Sequence, residues 1–230
     1  MKVLDFQAVK AIAAETPDSE LIRWVDEALR EKSGYTLPPK IHISQQDGDY
    51  YNVMPCIYER GNLAMVKMIG RHGHENRIMD LFRQDPDVHF VLCDTYEEVI
   101  GGSDLVISAI TKVTENFVTD EYFKEGCTVI PICTMGFQNC DLFFDRVFTD
   151  EMEQIRGFKY FDHFAPVTTN VTDVLNGAAP GRTDNVQRIL VYNYGIAIHD
   201  LVFAANLLAR AETPDTPYHY CREKYFIRCF

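Results

Sequence analysis

Gly102-Ser103-Asp104-Leu105-Val106-Ile107-Ser108-Ala109 is the stretch on which the fold turns. From Asp104 to Ile110 the chain is almost wholly apolar and too short for a core helix. It predicts a strand covered on both faces. Working outward, Thr119 to Glu125 predicts a helix that Gly126 terminates, and Thr128 to Cys133 predicts the next strand. Arg146-Val147-Phe148 predicts one more. Upstream, Gly101-Gly102 closes a helical turn expected over Thr95 to Ile100. Before it stand an apolar strand, Val88-His89-Phe90-Val91-Leu92, and a short helix from Asn76 to Phe82. Short apolar strands alternating with helices specify a parallel sheet, so the fold class is α/β.

Within this middle segment, about residues 70–170, the stretch from Asp87 to Cys133 reads like the later half of a dinucleotide-binding domain. A Gly-x-Gly-x-x-Gly turn should precede it, because only glycine lets the backbone approach a pyrophosphate on a helix N-terminus. The nearest candidate, Gly70-Arg71-His72-Gly73, has the wrong spacing and bulky residues where small ones are needed. The expected fold is therefore an incomplete Rossmann-like parallel sheet.

The flanks read differently. Asp18 or Ser19 caps an expected helix in which Leu21, Ile22, Val25, Ala28 and Leu29 recur at helical spacing, with Trp24 on its flank. Lys40 to Ser44 alternates as a strand, and Asp47-Gly48 is a hairpin turn signal. Tyr50 to Met54 and Leu63 to Ile69 predict two further strands. Beyond the middle, Thr172 to Leu175 starts a helix stopped by Asn176-Gly177, and Arg188 to Tyr192 predicts a strand. Ile196 to Ala211 predicts a long amphipathic helix with Ile198, Leu201, Val202, Ala205 and Leu208 on one stripe. The expected division is 1–69 with 171–230 as one small, mostly antiparallel unit, and 70–170 as the truncated nucleotide unit.

Composition bounds the partners. The 230 residues carry a net charge of −12 with dispersed Lys and Arg, which argues against nucleic acid or an anionic membrane. No apolar run reaches membrane-spanning length. The N-terminus lacks the apolar core of a signal peptide, so the expected location is the cytoplasm. Seven irregularly spaced cysteines with no Cys-x-x-Cys do not form a disulfide framework, and Cys56, Cys93, Cys127 and Cys133 are expected as buried thiols. His72 and His74 with Glu75 flank a glycine that indicates a turn, so no metal site is expected.

Three motifs in order carry a family resemblance. They are Leu37-Pro38-Pro39-Lys40-Ile41-His42 with Asn52-Val53-Met54-Pro55 and Met65-Val66-Lys67-Met68, then Gly102 to Ala109, then Gly181-Arg182-Thr183-Asp184 through Ile189-Leu190-Val191-Tyr192-Asn193-Tyr194-Gly195-Ile196-Ala197-Ile198-His199-Asp200. Together they resemble the ornithine cyclodeaminase/μ-crystallin family over nearly the whole chain. The resemblance implies a substrate and dimerisation domain built from both termini, a nucleotide domain between, and a homodimer. It implies NAD or NADP as cofactor and a small amino acid, keto acid or cyclic imine as substrate. Lys40 and Lys67 correspond to the residues that hold the substrate carboxylate, a task an ammonium suits. Met54 and Tyr194 join them as implied substrate contacts. Implied cofactor contacts are Arg71, Ile110, Thr111, Val129, Ile132, Asn139 and Asn193.

The chain departs from that pattern in one block. Lys67 leads almost directly into Arg71-His72-Gly73-His74-Glu75-Asn76, which resembles a family motif that normally follows the second nucleotide strand. The first nucleotide strand, the glycine loop and an arginine are thereby missing. Met135 stands where the family keeps its acid/base aspartate, and a thioether moves no proton. Asp141 is the one substitute nearby. Three readings remain from the sequence: a shortened enzyme with a nicotinamide cofactor held in a non-standard cradle, a non-catalytic amino or keto acid binder, and a structural dimer.

Overall fold

A computed structural model describes residue 4 and residues 6–44, 50–71, 91, 93–110, 116–133, 137 and 142–211. Two sheets organise it. The first is antiparallel, with β1 (Tyr35–Thr36), β2 (Ile41–Ser44), β3 (Tyr50–Tyr58) and β4 (Leu63–Arg71). β4 pairs with β3 along its full length, Tyr50 opposite Arg71 and Tyr58 opposite Leu63. A strand has two edges, so β2 and β1 share the other: β2 pairs with residues 50–53 and β1 with Ile57 and Tyr58. The Asp47-Gly48 turn lies outside the described residues, but the Ser44–Tyr50 register is what a hairpin there requires.

Three helices serve this sheet. α1 (Phe6–Glu15), unforeseen in the sequence, precedes α2 (Asp18–Arg30). The chain supplies Asp18 and Glu20 to the first turn of α2 and Arg30 to its last, matching the helix dipole. The C-terminal helix, named α7 below (Ala197–Arg210), packs on α2 and crosses β3 and β4. Trp24 meets Phe203 edge-on at 5.4 Å, and the Arg210 guanidinium lies 4.8 Å from the Trp24 ring centre. Ile198, Leu201 and Leu207 are buried, whereas Leu208 is exposed. The expected stripe thus shifts by one residue toward the helix end, where α1 joins the contact.

The second sheet is parallel, in the order β5 (Leu105–Ser108), β6 (Thr128–Pro131), β9 (Ile189–Tyr192), β7 (Arg146–Thr149), β8 (Thr168–Asn170). Around it lie α3 (Tyr96–Ile100), α4 (Met152–Ile155), α5 (Phe161–Phe164) and α6 (Val171–Leu175). Thr95 caps α3 by accepting from the Glu98 amide. Gly126 precedes β6 at φ +78°, and a Cβ there would stand 2.4 Å from the Asn185 carbonyl oxygen, so only glycine fits.

Four expectations are corrected here. Thr119 to Glu125 forms only a single tight turn, Asp120–Tyr122. The chain leaves the helix at Phe123, which turns extended and is buried at 1% exposure among Phe137, Phe143 and Phe144. β5 is covered on one face only: Val106 and Ser108 are buried, and Leu105 and Ile107 are exposed. Ile189–Tyr192 was expected in the antiparallel unit, yet it bridges β6 and β7 at the centre of the parallel sheet. Among the cysteines, Cys56 and Cys127 are buried but Cys93 and Cys133 are only half-buried. The segments 76–82 and 88–90 lie outside the described residues.

Candidate functional site

All five strands of the second sheet run the same way, so their carboxyl ends share one edge. Ligands of α/β sheets bind at that edge. Ala109 and Ile110 leave β5 there, Ile132 and Cys133 leave β6, Asp150 and Glu151 leave β7, and Asn193 to Gly195 leave β9. Backbone bonds stitch the edge together, from the Ile132 amide to the Ser108 carbonyl (2.9 Å) and from the Asp150 amide to the Tyr192 carbonyl (3.1 Å).

A cavity of about 390 Å³ opens between this edge and the antiparallel sheet. Lys40 and Met54 stand on the antiparallel side, Glu151, Glu153 and Gln154 on the other, and Ile196 and Ala197 at the start of α7 close a third. That volume suits a small organic ligand. Lys40 is exposed and makes no ion pair among the described residues. Glu151 is held by Lys32 at 2.9 Å, and Glu153 by Arg156 at 2.8 Å. Gln154 donates from Nε2 to the Gly195 carbonyl at 3.4 Å.

Behind the cavity, Asp150 is 4% exposed and accepts from the Gly195 amide at 2.9 Å. Its other oxygen is buried without a partner. Burial pushes this carboxyl up to about 6, against the pull of the Gly195 amide and the Lys32 ammonium. Lys32 also donates to the Asp150 carbonyl, tying the two sheets together.

Lys67 is placed differently from its expected role. Its ammonium donates to Asp200 of α7 at 2.7 Å. The neighbouring His199 ring is half-buried, and desolvation lowers its pKa. Cys56, fully buried beneath them, is pushed up to about 11 by desolvation and by the Asp200 charge. This cluster joins β4 to α7.

Of the implied substrate contacts, then, Lys40 and Met54 line the cavity and Lys67 and Tyr194 do not. Tyr194 turns into the aromatic core, 5.7 Å from Phe158 and 5.3 Å from Tyr192. Of the implied cofactor contacts, Ile110, Ile132 and Asn193 gather at the carboxyl edge, with Ile132 and Asn193 exposed. Val129 is fully buried in the sheet core, which removes its side chain from any ligand. Arg71 ends β4, and Thr111, Asn139, Asp141 and Met135 lie outside the described residues, as do His72, His74 and Glu75. Sequence reasoning missed Glu151, Gln154, Ile196 and Ala197. The available signal was Asp150-Glu151 directly after an apolar strand, a change of polarity at a strand's carboxyl end.

Among the described residues no group of three or more His, Cys, Asp or Glu gathers around a common point, and no helix is long and apolar enough to cross a membrane. A dinucleotide needs a glycine turn from strand to helix. Among the described residues the positive-φ glycine in such a turn is Gly195, between β9 and α7, where a Cβ would meet nothing within 4 Å. Gly73 and Gly136 lie outside the described residues.

No protein-family model matches the chain. A curated relative, nodulation efficiency protein NfeD of Rhizobium meliloti, is 28% identical over 123 residues, 50% of this chain. The match spans only 38% of that protein's length. Among solved structures, that of CmnK has a TM-score of 0.70 at 17% identity, covering 90% of this chain and 93% of that one. Thermococcus litoralis Delta(1)-pyrroline-2-carboxylate reductase, in complex with NADH and L-proline, gives 0.68 at 12% identity, covering 91% and 97%. A probable ornithine cyclodeaminase from Bordetella pertussis Tohama I gives 0.68 at 9% identity, covering 87% and 94%. The chain therefore has the mixed α/β fold, a parallel Rossmann-type sheet with a small antiparallel sheet, that ornithine cyclodeaminase and pyrroline carboxylate reductase structures share.

Proposed function

We propose that this is an ornithine cyclodeaminase-like protein whose inter-sheet cavity takes a small amino acid, keto acid or cyclic imine by its carboxylate. The observation that carries the reading is the free Lys40 ammonium facing an acceptor-lined wall across a cavity at the carboxyl edge of a parallel sheet. Lys40 supplies the countercharge, Met54 and Ile196 supply apolar cover for a short side chain, and Lys67 serves the fold through Asp200. Among the described residues Lys40 is the basic side chain that lines the cavity, and it supplies the orienting charge. The test is calorimetric titration with L-proline and pyruvate, comparing wild type with Lys40→Met. Binding by wild type that weakens by about tenfold or more in the variant supports the reading. Equal binding by both proteins, or none by wild type, overturns it.

Use of a nicotinamide cofactor, with redox turnover at the amine or imine carbon, is the catalytic form of this proposal. The neighbouring reductase solved with NADH favours it. A binder without turnover is the second form, favoured by Lys67 being engaged by Asp200. Titration of NADH and NADPH separates them: micromolar binding supports turnover, and silence at millimolar cofactor leaves the binder. A homodimer through the antiparallel sheet belongs to both forms, supported by exposed Ile41, Ile43 and Val66, and light scattering tests it.

A further inference from the structure

The turn from β9 into α7 brings Ile196 and Ala197 to the cavity, and little fastens it. Ile196 stands at the N-cap of α7 with no side-chain cap bond. Gly195 has φ +78°, and a Cβ there would meet nothing within 4 Å, so the turn has open space beside it. Two side chains hold Gly195. Asp150 accepts from its amide at 2.9 Å, and Gln154 donates to its carbonyl at 3.4 Å. Asp150 is the closer fastening.

That fastening depends on charge. Asp150 is 4% exposed, and its second carboxyl oxygen is buried without a partner. Lys32 is the cation that acts on it from the antiparallel unit, and Lys32 divides its donors between the Asp150 carbonyl and the Glu151 carboxylate. From the turn come the Tyr194 and Gly195 amides, and from its own connection the Glu151 amide with that residue's negative charge. A neutral carboxyl tolerates such a place, whereas a carboxylate with an unpaired oxygen gains by reaching water.

We propose that Asp150 is a proton-operated latch on the inter-sheet cavity. Neutral, it keeps the Tyr194–Ile196 turn shut against the sheet edge. Charged, it favours a local opening that hydrates the carboxylate and draws Ile196 away from the cavity. Burial holds the closed carboxyl at about 6, and water returns it toward 3.8, so opening releases its proton to solvent. Opening therefore grows as pH rises between those values and levels off above the upper one. The latch governs access whatever small ligand the cavity takes.

Native-state hydrogen exchange of the full chain, over a series of low urea concentrations, tests this without a ligand. Corrected for intrinsic rates, the Tyr194 and Gly195 amides should lose protection by about tenfold or more from about pH 4.5 to about pH 7.5. That loss should be insensitive to urea, because a local opening exposes little surface. The Val147 and Leu190 amides, within β7 and β9, should instead exchange through urea-sensitive unfolding. In Asp150→Asn, whose side-chain oxygen still accepts from Gly195, the pH dependence should vanish. In Lys32→Met, which removes the cation beside the carboxylate, the difference between the two pH values should widen. Should the Asn variant fail to fold, Lys32→Met decides: an unchanged difference overturns the latch. So does a wild-type pH profile in Asp150→Asn, or turn amides that share the urea dependence of the sheet amides at both pH values. Such a failure leaves the ligand reading above standing, since that reading rests on Lys40.

Discussion

The two sheets are backed by different materials. Behind the parallel sheet the core sets a cluster of rings, Phe123, Phe137, Phe144, Phe164 and Tyr192, among aliphatic Ile100, Val106, Val129, Val147, Ile155 and Leu190, with Phe143 and Phe144 stacked at 4.3 Å. Behind the antiparallel sheet it is built of Ala28, Met54, Cys56, Ile196, Ile198 and Leu201. Rings pack in few arrangements and hold the strand ends in place, whereas Met and small aliphatics adapt. The cavity lies where the two meet, with its polar acceptors mounted on the rigid side and Lys40 on the adaptable one. A polar constellation works best on a stiff element, and a wall that must accommodate a side chain works best on a soft one.

The contrast breaks most visibly at Phe123. Phe123→Ala should cost about 3–5 kcal/mol in denaturant unfolding; a loss no greater than that of an exposed residue would refute the rigid side. Next comes pH. Asp150 is held at about 6 in the folded protein against 3.8 as its reference value. A carboxyl with a raised folded pKa favours the protonated native state. Stability from this group is therefore greatest below the reference value, declines as pH rises between the two values, and is flat above the upper one. The decline amounts to about 3 kcal/mol. Asp150→Asn should abolish that slope and stabilise the protein at neutral pH, which unfolding curves across the range would show.

Smaller effects belong to the adaptable side. Lys67→Met should cost about 1 kcal/mol, since the pair with Asp200 is half-exposed, and the double variant with Asp200→Asn should cost less than the sum of the singles. Ile22→Ala, on the exposed face of α2, should change stability by no more than about 0.5 kcal/mol.

Local patterns carried much of this architecture. The apolar runs at 105–108, 128–131 and 146–149 and the long helix at 197–210 were readable because burial imposes period and composition on short segments. The place of Ile189–Tyr192 was not, because a strand's own residues do not say which sheet it joins. Phe123 shows tertiary burial overriding a helical pattern. At the site, Lys40 and Met54 were legible through a motif. The engagement of Lys67 was not, because its partner Asp200 lies 133 residues away. The latch at Asp150 was invisible for a similar reason: an unpaired buried oxygen is a property of its surroundings.

The position of Ile189–Tyr192 has a consequence for how the chain is made. β6 and β7 do not pair with each other; β9 joins them. During synthesis from the N-terminus the sheet exists as two separate pairs, β5 with β6 and β7 with β8, until its keystone emerges. Apolar faces such as that of Val129 and Val147 must wait for it. Closure of the sheet is therefore a late, long-range event, the slow kind in folding, and a nascent chain stalled before Ile189 should be held by chaperones or cleared by proteases.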